Sequence, residues 1–403
     1  MLASRYAYLK MIRSNLALSV VMIAVLVGAV NTSGRLLENW KTRRDERIVR
    51  RHRLRELAEF APTIMFGLQD QANTLPSNNI THHNHNTYPV ESPHEDYHDV
   101  EISESDLTEA ALGQYRTAPR RTIFEQNVIF RFYNGGNLTK TTTINKLPLL
   151  KETSCSTTQK FAIIVHGWRE NCYETFWIKD LEINLNIHRG GCIICVDYST
   201  FASNNYPYLF KRFNDLSAVL LKFLRTLQYE GLQFDNLYMF GFSFGGQLVL
   251  DAGNQIGYNA IESIDTCDMA GVGFDQDRFF KGIHFRNAAK NVQCIHTSTD
   301  KGTKLMDKCH QDWRMGQCGF RQPAAGKPPL GSHGLCPVFY NLAFKVKFLA
   351  EQRPPECTML REPTAEYPNG FRMGYLERRK GQVRGELYAQ TTDRFPFTVF
   401  NDL

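Results

Sequence analysis

Cysteine is absent from the first 150 residues of this 403-residue chain, which excludes disulfides and thiolate metal sites from that region. No apolar run reaches the roughly 20 residues that a typical membrane-spanning helix needs. A large charge excess is also lacking, because the net charge is only +6. The basic residues cluster between Arg43 and Arg55, outside the part of the chain that carries the candidate site. We therefore predict no nucleic-acid partner. No internal repeat is evident, so a repeat architecture is not expected.

The longest apolar run lies near the N-terminus, where residues 16–30 follow three basic residues and end in small ones. Val27 and Ala29 suit positions −3 and −1 of a signal cleavage site. Because this run is short for a spanning helix, we predict that residues 1–30 form a signal peptide. A signal anchor is the alternative, since an Arg-rich stretch follows the run. In an anchored protein, such a charge bias favours a cytosolic location for the domain that follows.

All ten cysteines lie between Cys155 and Cys357. An even number confined to one region behind a signal-like segment indicates disulfides formed in a secretory compartment, although the pairing does not follow from the sequence. Acceptor sequences for N-glycosylation at Asn31, Asn79 and Asn137 agree with that compartment. We predict a secreted protein, with a single-pass membrane-anchored protein as the alternative.

The segment before residue 122 is polar, first basic and then rich in His, Asn and acidic residues. From 69 to 109, apolar residues are too sparse to offset the entropy lost on ordering, so we predict that residues 31–121 are a linker with a disordered part. Five histidines between His82 and His98 are consistent with metal binding, but no cysteine or regular spacing fixes a geometry. A disordered spacer is the favoured interpretation.

From residue 122 to the C-terminus, short apolar runs alternate with amphipathic segments. A strong helix with apolar residues at helical spacing is expected to be capped by Asn214 and to end before Gly231. Strictly alternating strands and helices predict an α/β domain over 122–403, with a mostly parallel sheet and helices on both faces. The predicted strands are 161–165, 192–198, 237–240, 260–264 and 292–296, and a further helix is predicted at 175–187.

A serine held between two glycines follows one of these strands, in the run Gly241-Phe242-Ser243-Phe244-Gly245. Such a strand-to-helix corner forces the serine into a strained conformation that exposes its hydroxyl, so Ser243 is the candidate nucleophile. The backbone N–H of Phe244, at the start of the next helix, is one candidate donor to an oxyanion. The N–H of Trp168 is the other, because Gly167 lets the backbone approach.

Several motifs occur in the order and spacing found in the pancreatic-type neutral lipases and their insect relatives. They are Phe161–Trp168, Val196–Tyr198, the serine corner, Ile264–Ala270, Cys294–Thr297, His310–Trp313, Met373-Gly374 and Gly385–Tyr388. The chain resembles this family over about residues 120–400, as a divergent member. The resemblance implies an α/β-hydrolase fold and hydrolysis of a carboxylic ester of a glycerolipid, without a cofactor.

The same resemblance implies a Ser-Asp-His triad that begins with Ser243. Two acids are available, and alignment on Ile264 and Phe274 puts Asp268 at the catalytic position. Asp265 is then a structural neighbour that caps the loop or bonds within it.

The base is expected at His333. The family has an aromatic residue seven positions after its histidine and a cysteine two positions before it. Tyr340 fits the first requirement, whereas Gly331 replaces the cysteine. If Val338 is the true equivalent of the histidine, the base is missing and the domain is a pseudoenzyme.

A zinc site is the alternative interpretation of a group of cysteines and histidines near the C-terminus, but the group lacks a CxxC pair and its thiols are liable to oxidise. We therefore predict no metal. The group comprises Cys309, His310, Cys318, His333 and Cys336. Asp251 is expected to be exposed, whereas His296 and His310 are expected to be structural.

The substrate is expected to be a lipid or a lipid–water interface. Cys309 and Cys318 enclose only eight residues, which resembles the short lid of insect venom phospholipases more than the long lid of triglyceride lipases. The seventy residues after His333 leave no room for a C-terminal β-sandwich, so no colipase-type partner is expected. Phe242, Met269 and Cys309 depart from the family pattern. The alternative function is an inactive homologue that binds or stores lipid, as insect yolk proteins do.

Overall fold

The computed structural model describes residues 119–275, 283–326, 331–357 and 365–400. The predicted signal segment at 1–30 lies outside these ranges, as do nearly all of the linker at 31–121 and the sequons at Asn31 and Asn79. Within the described ranges, no helix combines the length and the apolarity needed to cross a bilayer.

Among the described residues, nine strands form one sheet in the order β2-β1-β4-β3-β5-β6-β7-β8-β9. From β4 to β9 every neighbouring pair is parallel, whereas β1 runs antiparallel to both β2 and β4. The sheet is therefore mostly parallel, as predicted. The strands are β1 (Ile129–Asn134), β2 (Asn137–Thr142), β3 (Phe161–Val165), β4 (Cys192–Asp197), β5 (Leu237–Phe242), β6 (Ser263–Cys267), β7 (Asn291–His296), β8 (Gln311–Met315) and β9 (Gly385–Ala389).

Helices cover both faces of the sheet. Side chains along a strand point alternately to either side, and the two sides of β5 pack against different helices. On β5, Leu237 and Met239 belong to the core cluster that holds the apolar stripes of α5 and α6. Phe240, which follows Met239 in the strand, instead packs against Trp177 of α2 and Tyr340 of α7. The α-helices are α1 (Pro119–Asn127), α2 (Phe176–His188), α3 (Ser199–Ala202), α4 (Tyr206–Phe210), α5 (Phe213–Tyr229), α6 (Phe244–Ile256) and α7 (Leu335–Leu342).

Three sequence-based expectations about these elements are wrong. Strands and helices do not alternate strictly, since no α-helix separates β1 from β2 or β7 from β8 in the described residues. Asn214 does not cap α5, because the helix begins at Phe213 and Arg212 occupies the N-cap position. The strand predicted at 260–264 runs from Ser263 to Cys267 instead.

All ten cysteines are joined in five disulfides, which confirms the prediction of an oxidised chain. Cys309 and Cys318 are not partners, so the eight residues between them are not a disulfide-closed lid, and the expected likeness to the short lid of venom phospholipases is wrong. The zinc alternative also fails, because Cys309, Cys318 and Cys336 are each bonded to another cysteine and offer no thiolate. The pairs are Cys155–Cys192, Cys172–Cys195, Cys267–Cys336, Cys294–Cys309 and Cys318–Cys357.

Candidate active site

Four neighbouring parallel strands end at the same edge of the sheet and deliver polar residues there. His166 follows β3, Ser243 follows β5, Asp268 follows β6 and Thr297 follows β7. In open α/β sheets, ligands bind at the carboxyl ends of parallel strands. This edge is therefore the candidate active site.

Ser243 sits at the corner between β5 and α6 with φ +54° and ψ −122°. This confirms the strained conformation expected from the sequence, since a non-glycine residue at positive φ is held only where its surroundings enforce it. A Cβ on Gly241 would lie 2.4 Å from the carbonyl oxygen of Gly245, and one on Gly245 would lie 2.3 Å from that of His166. The two flanking glycines are thus a steric requirement of the corner.

A chain of hydrogen bonds links three side chains at this edge. Nδ1 of His333 donates to Oδ2 of Asp268 over 2.6 Å, because an ionised carboxylate only accepts. Nε2 is then left to accept from the hydroxyl of Ser243, at 2.9 Å. Ser243 and Asp268 are 7% and 1% exposed, and the side chain of His333 is 15% exposed. The serine and the imidazole can therefore still be approached from outside.

Asp268 accepts further hydrogen bonds besides the one from His333. Its Oδ1 accepts the N–H groups of Thr297 and Ser298 at 2.7 and 3.0 Å. The hydroxyl of Ser298 donates to Oδ2 at 2.5 Å. Sequence reasoning gave no role to these two residues, although their place directly after β7, the neighbour of β6, was the available signal. Together these bonds fix the carboxylate that faces the imidazole.

The turn after β3 lies directly against Ser243. A Cβ on Gly167 would come within 3.1 Å of the Cβ of Ser243, so a side chain at this position would crowd the serine. The indole of Trp168 donates to the carbonyl of Asn204 at 2.6 Å, and the N–H of Arg169 donates to that of Ala202. The turn that carries the backbone N–H of Trp168 is thus anchored beside the serine, and Phe244 follows the serine at the first position of α6.

Several aromatic rings lie close to the Ser243–His333 pair. Phe242 is buried between the imidazole of His333, at 4.8 Å between ring centroids, and Trp177, at 5.8 Å. The rings of Trp168 and Tyr206 contact edge to face at 5.6 Å. The surroundings of the polar chain are therefore largely apolar.

Val338 lies inside α7 and is buried, and it is His333, before the helix, that reaches Ser243. Asp265 is not a loop residue as expected, but lies in β6 within hydrogen-bond distance of Lys380 and Tyr340. The expectation that Asp251 is exposed is also wrong, since it is half-buried and accepts from the hydroxyl of Ser217.

Two histidines outside the site have structural partners. His296 is buried in β7, with its Nε2 3.0 Å from Oδ1 of Asp312. His310 accepts the N–H of Val292 through Nδ1 at 2.9 Å, and burial lowers its pKa to about 4, helped by Arg384 and Arg286. Both are therefore held in the packing of β7 and β8.

Comparisons with known proteins identify relatives of this chain. A family model described as Lipase matches residues 98–308, more than half of the chain. Lipase member H of Mus musculus is 27% identical over 96 residues, which are 24% of this chain and 21% of the relative. Lipase member H of Rattus norvegicus is 26% identical over 152 residues, which are 36% of this chain and 32% of the relative. The chain thus spans a third or less of these curated relatives.

Solved structures of hydrolases are also similar to parts of the chain. Est1E from Butyrivibrio proteoclasticus is 18% identical, with a TM-score of 0.21 over 28% of this chain and 42% of that one. A phospholipase/carboxylesterase from Dyadobacter fermentans is 12% identical, with a TM-score of 0.28 over 42% of this chain and 71% of that one. Scores below 0.5 carry no functional argument. The family model matches more than half of the chain, and this chain therefore belongs to the Lipase family.

Proposed function

We propose that this protein is a serine hydrolase that cleaves carboxylic esters of glycerolipids through a triad of Ser243, His333 and Asp268. The observation that carries the proposal is the unbroken hydrogen-bond chain from Asp268 through His333 to Ser243, at 2.6 and 2.9 Å. A serine hydroxyl is a weak nucleophile on its own, and an adjacent base that is oriented by a third group activates it. Membership of the Lipase family supports the same reaction.

Each group then has a defined task. Nε2 of His333 accepts the proton of Ser243 as Oγ bonds to the acyl carbon, and the carbonyl π electrons move onto its oxygen. The backbone N–H groups of Trp168 and Phe244 donate to that oxyanion. Cleavage of the ester C–O bond releases an alcohol, which takes the proton from His333. A water that gives its proton to His333 then attacks the acyl-enzyme. The acyl–Oγ bond breaks, Oγ takes the proton back from His333, and the fatty acid leaves.

A lipid substrate is favoured by the apolar surroundings of the site. Phe242 contacts the imidazole, and Trp168 and Tyr206 pack together beside the turn after β3. A fatty acyl chain suits such a wall, because burying its methylene groups is favourable by about 0.8 kcal/mol each. Phospholipids and triglycerides share this acyl ester chemistry, and a rate comparison separates them.

The test is hydrolysis by the purified protein of a soluble short-chain ester, phosphatidylcholine vesicles and a triglyceride emulsion. We expect turnover of the short-chain ester and of one lipid, and loss of both in Ser243→Ala at unchanged Tm. Equal rates in the wild type and Ser243→Ala would contradict the enzyme and favour the alternative of a lipid-binding or storage protein.

We also propose that the protein matures in the secretory pathway and leaves the cell, with membrane anchoring as the alternative. Five disulfides support an oxidising compartment. Asn137, the one sequon in the described residues, is exposed at the start of the edge strand β2, where a glycan would have space. In the secreted wild-type protein, a glycosidase should change the mass of the peptide that contains Asn137, whereas the corresponding peptide of Asn137→Gln should not change. An unmodified Asn137 peptide from secreted protein would contradict the glycan. The absence of a colipase-type or nucleic-acid partner stays a prediction.

A further inference from the structure

Glu170 lies behind the turn that follows β3 and bonds to it. Its Oε2 accepts the backbone N–H of Gly167 at 2.7 Å. Its Oε1 accepts the indole N–H of Trp177 in α2, also at 2.7 Å. Burial raises the pKa of this carboxyl, while the Trp177 and Gly167 donors oppose the rise. A half-buried carboxyl thus ties the N–H of Gly167 to the buried Trp177 of α2.

The peptide plane on the other side of Gly167 is held by a different residue. Nε2 of His166 accepts the N–H of Tyr198 at 3.2 Å, and a backbone N–H can only donate. The imidazole proton therefore sits on Nδ1, which donates to the carbonyl of Gly167 at 2.8 Å. In a trans peptide that carbonyl points opposite to the N–H of Trp168, so His166 sets the direction of the N–H of Trp168.

The two soft dihedral angles between these planes belong to a glycine, the least restricted residue in the chain. With one plane held by His166 and the other by Glu170, Gly167 has no freedom to rotate either plane alone. If the bond to Glu170 is lost, the peptide plane between His166 and Gly167 keeps only the bond from the hydroxyl of Tyr198 to the carbonyl of His166, and the turn can shift the N–H of Trp168 relative to Ser243.

We propose that Glu170 is a positioning residue that keeps the N–H of Trp168 aimed at the oxyanion by holding the N–H of Gly167. This inference rests on the proposed function. It assigns to Glu170 a task that neither its distance from Ser243 in sequence nor its residue type reveals.

The amide of glutamine cannot replace the carboxylate here. Glu170→Gln has one accepting oxygen and one NH2 group, yet it faces two N–H donors, from Gly167 and Trp177. One of the two donors must then face the NH2 group and lose its acceptor. Trp177→Phe removes the competing donor, so that in the double variant the amide oxygen is free to accept from Gly167.

The decisive experiment is therefore a cycle of Glu170→Gln, Trp177→Phe and the double variant, with kinetics on a soluble ester. We expect Glu170→Gln to lower kcat about 10- to 100-fold with KM within about twofold, because the lost interaction serves the transition state. The double variant should be faster than Glu170→Gln. The Cys172–Cys195 disulfide holds the rest of the loop to β4, so Tm should change little.

Glu174→Gln is the matched control, since Glu174 is an exposed acid of the same loop. It should keep the wild-type kcat. Wild-type kcat in Glu170→Gln, or a double variant no faster than Glu170→Gln, would overturn the inference while leaving the triad intact. A wild type without esterase activity would instead refute the proposed function itself, and with it this role of Glu170.

Discussion

Asp265 and Asp268 lie three residues apart on the same strand and its extension, yet they do different things. Asp265 sits inside β6, where Nζ of Lys380 lies 3.1 and 3.0 Å from its two oxygens and Tyr340 donates at 2.5 Å. Asp268 sits one residue past the strand, with φ +41°, and faces His333. Position relative to the end of the strand, rather than residue type, therefore decides which acid is available for chemistry.

The charges of the two acids are also compensated differently. The carboxylate of Asp265 has a buried ammonium as its partner, whereas that of Asp268 relies on hydrogen bonds from Thr297, Ser298 and His333. Burial and the nearby charge of Asp265 raise the pKa of Tyr340 well above its usual range, so this tyrosine stays a donor. The ion pair joins β6 to the C-terminal region, whereas Asp268 has hydrogen bonds alone and faces His333.

The largest effect should come from Asp268→Asn. The amide leaves the carboxylate's place filled but favours the wrong tautomer of His333, so we expect kcat to fall by about 10³- to 10⁴-fold. Tm should change much less than in any variant of Asp265. Activity within tenfold of the wild type would contradict the assignment of Asp268 as the orienting acid.

Asp265→Asn should show the reverse pattern. It leaves the ammonium of Lys380 buried without a counter-charge, which typically costs about 3–5 kcal/mol of the free energy of unfolding. The specific activity of the folded fraction should stay within about threefold of the wild type. Denaturant unfolding measures the first effect and active-site titration the second. Adding Lys380→Met should recover part of the lost stability, and a variant as stable as the wild type would show that the ion pair is not needed.

A third acid, Glu182 in α2, sharpens the comparison because it lacks the partners of the other two. Its buried Oε1 has no hydrogen-bond partner among the described residues, and burial raises its pKa to about 8 despite Tyr133, Arg131 and Lys179. The folded state therefore holds a proton that the unfolded chain releases above its ordinary pKa. Stability is greatest below that value and falls as the pH rises through about 8.

Glu182→Gln should remove this loss, because the amide stays neutral at every pH. At about pH 8.5 we expect the variant to have a higher Tm than the wild type and a free energy of unfolding that is larger by on the order of 2 kcal/mol. Both differences should shrink towards about pH 5. Thermal scans across this range test the prediction. Parallel curves for the two proteins would contradict it.

The sequence predicted the strands β3, β4, β5 and β7 but misplaced β6, and Asp265 explains why. Apolarity pointed to residues 260–264, whereas the strand includes the buried polar residues Asp265 and Thr266. The partner that makes this burial tolerable, Lys380, comes from 115 residues away. A local pattern cannot contain that information. The strand β5 was predicted two residues short for a related reason, since Gly241 ends a local pattern but pairs with its neighbours in the sheet.

The candidate site divides in the same way. Ser243 could be nominated because strand, glycines and helix are adjacent in the sequence. His333 could not be singled out by local features, because its place beside a serine 90 residues earlier depends on how the chain returns after β8. Glu170 gave no signal at all, since its two donors are recognisable only once the turn and α2 are folded.

The disulfide between Cys267 and Cys336 has a mechanical consequence. It joins the residue just before Asp268 to a residue three places after His333. Asp268 and His333 thus belong to one covalent ring closed by this disulfide, whereas Ser243 lies outside the ring, after strand β5. Hydrogen bonds between the backbone of Ser243 and those of Cys267 and Ala270 join it to this ring without a covalent link, so the serine is the member whose alignment is most easily lost.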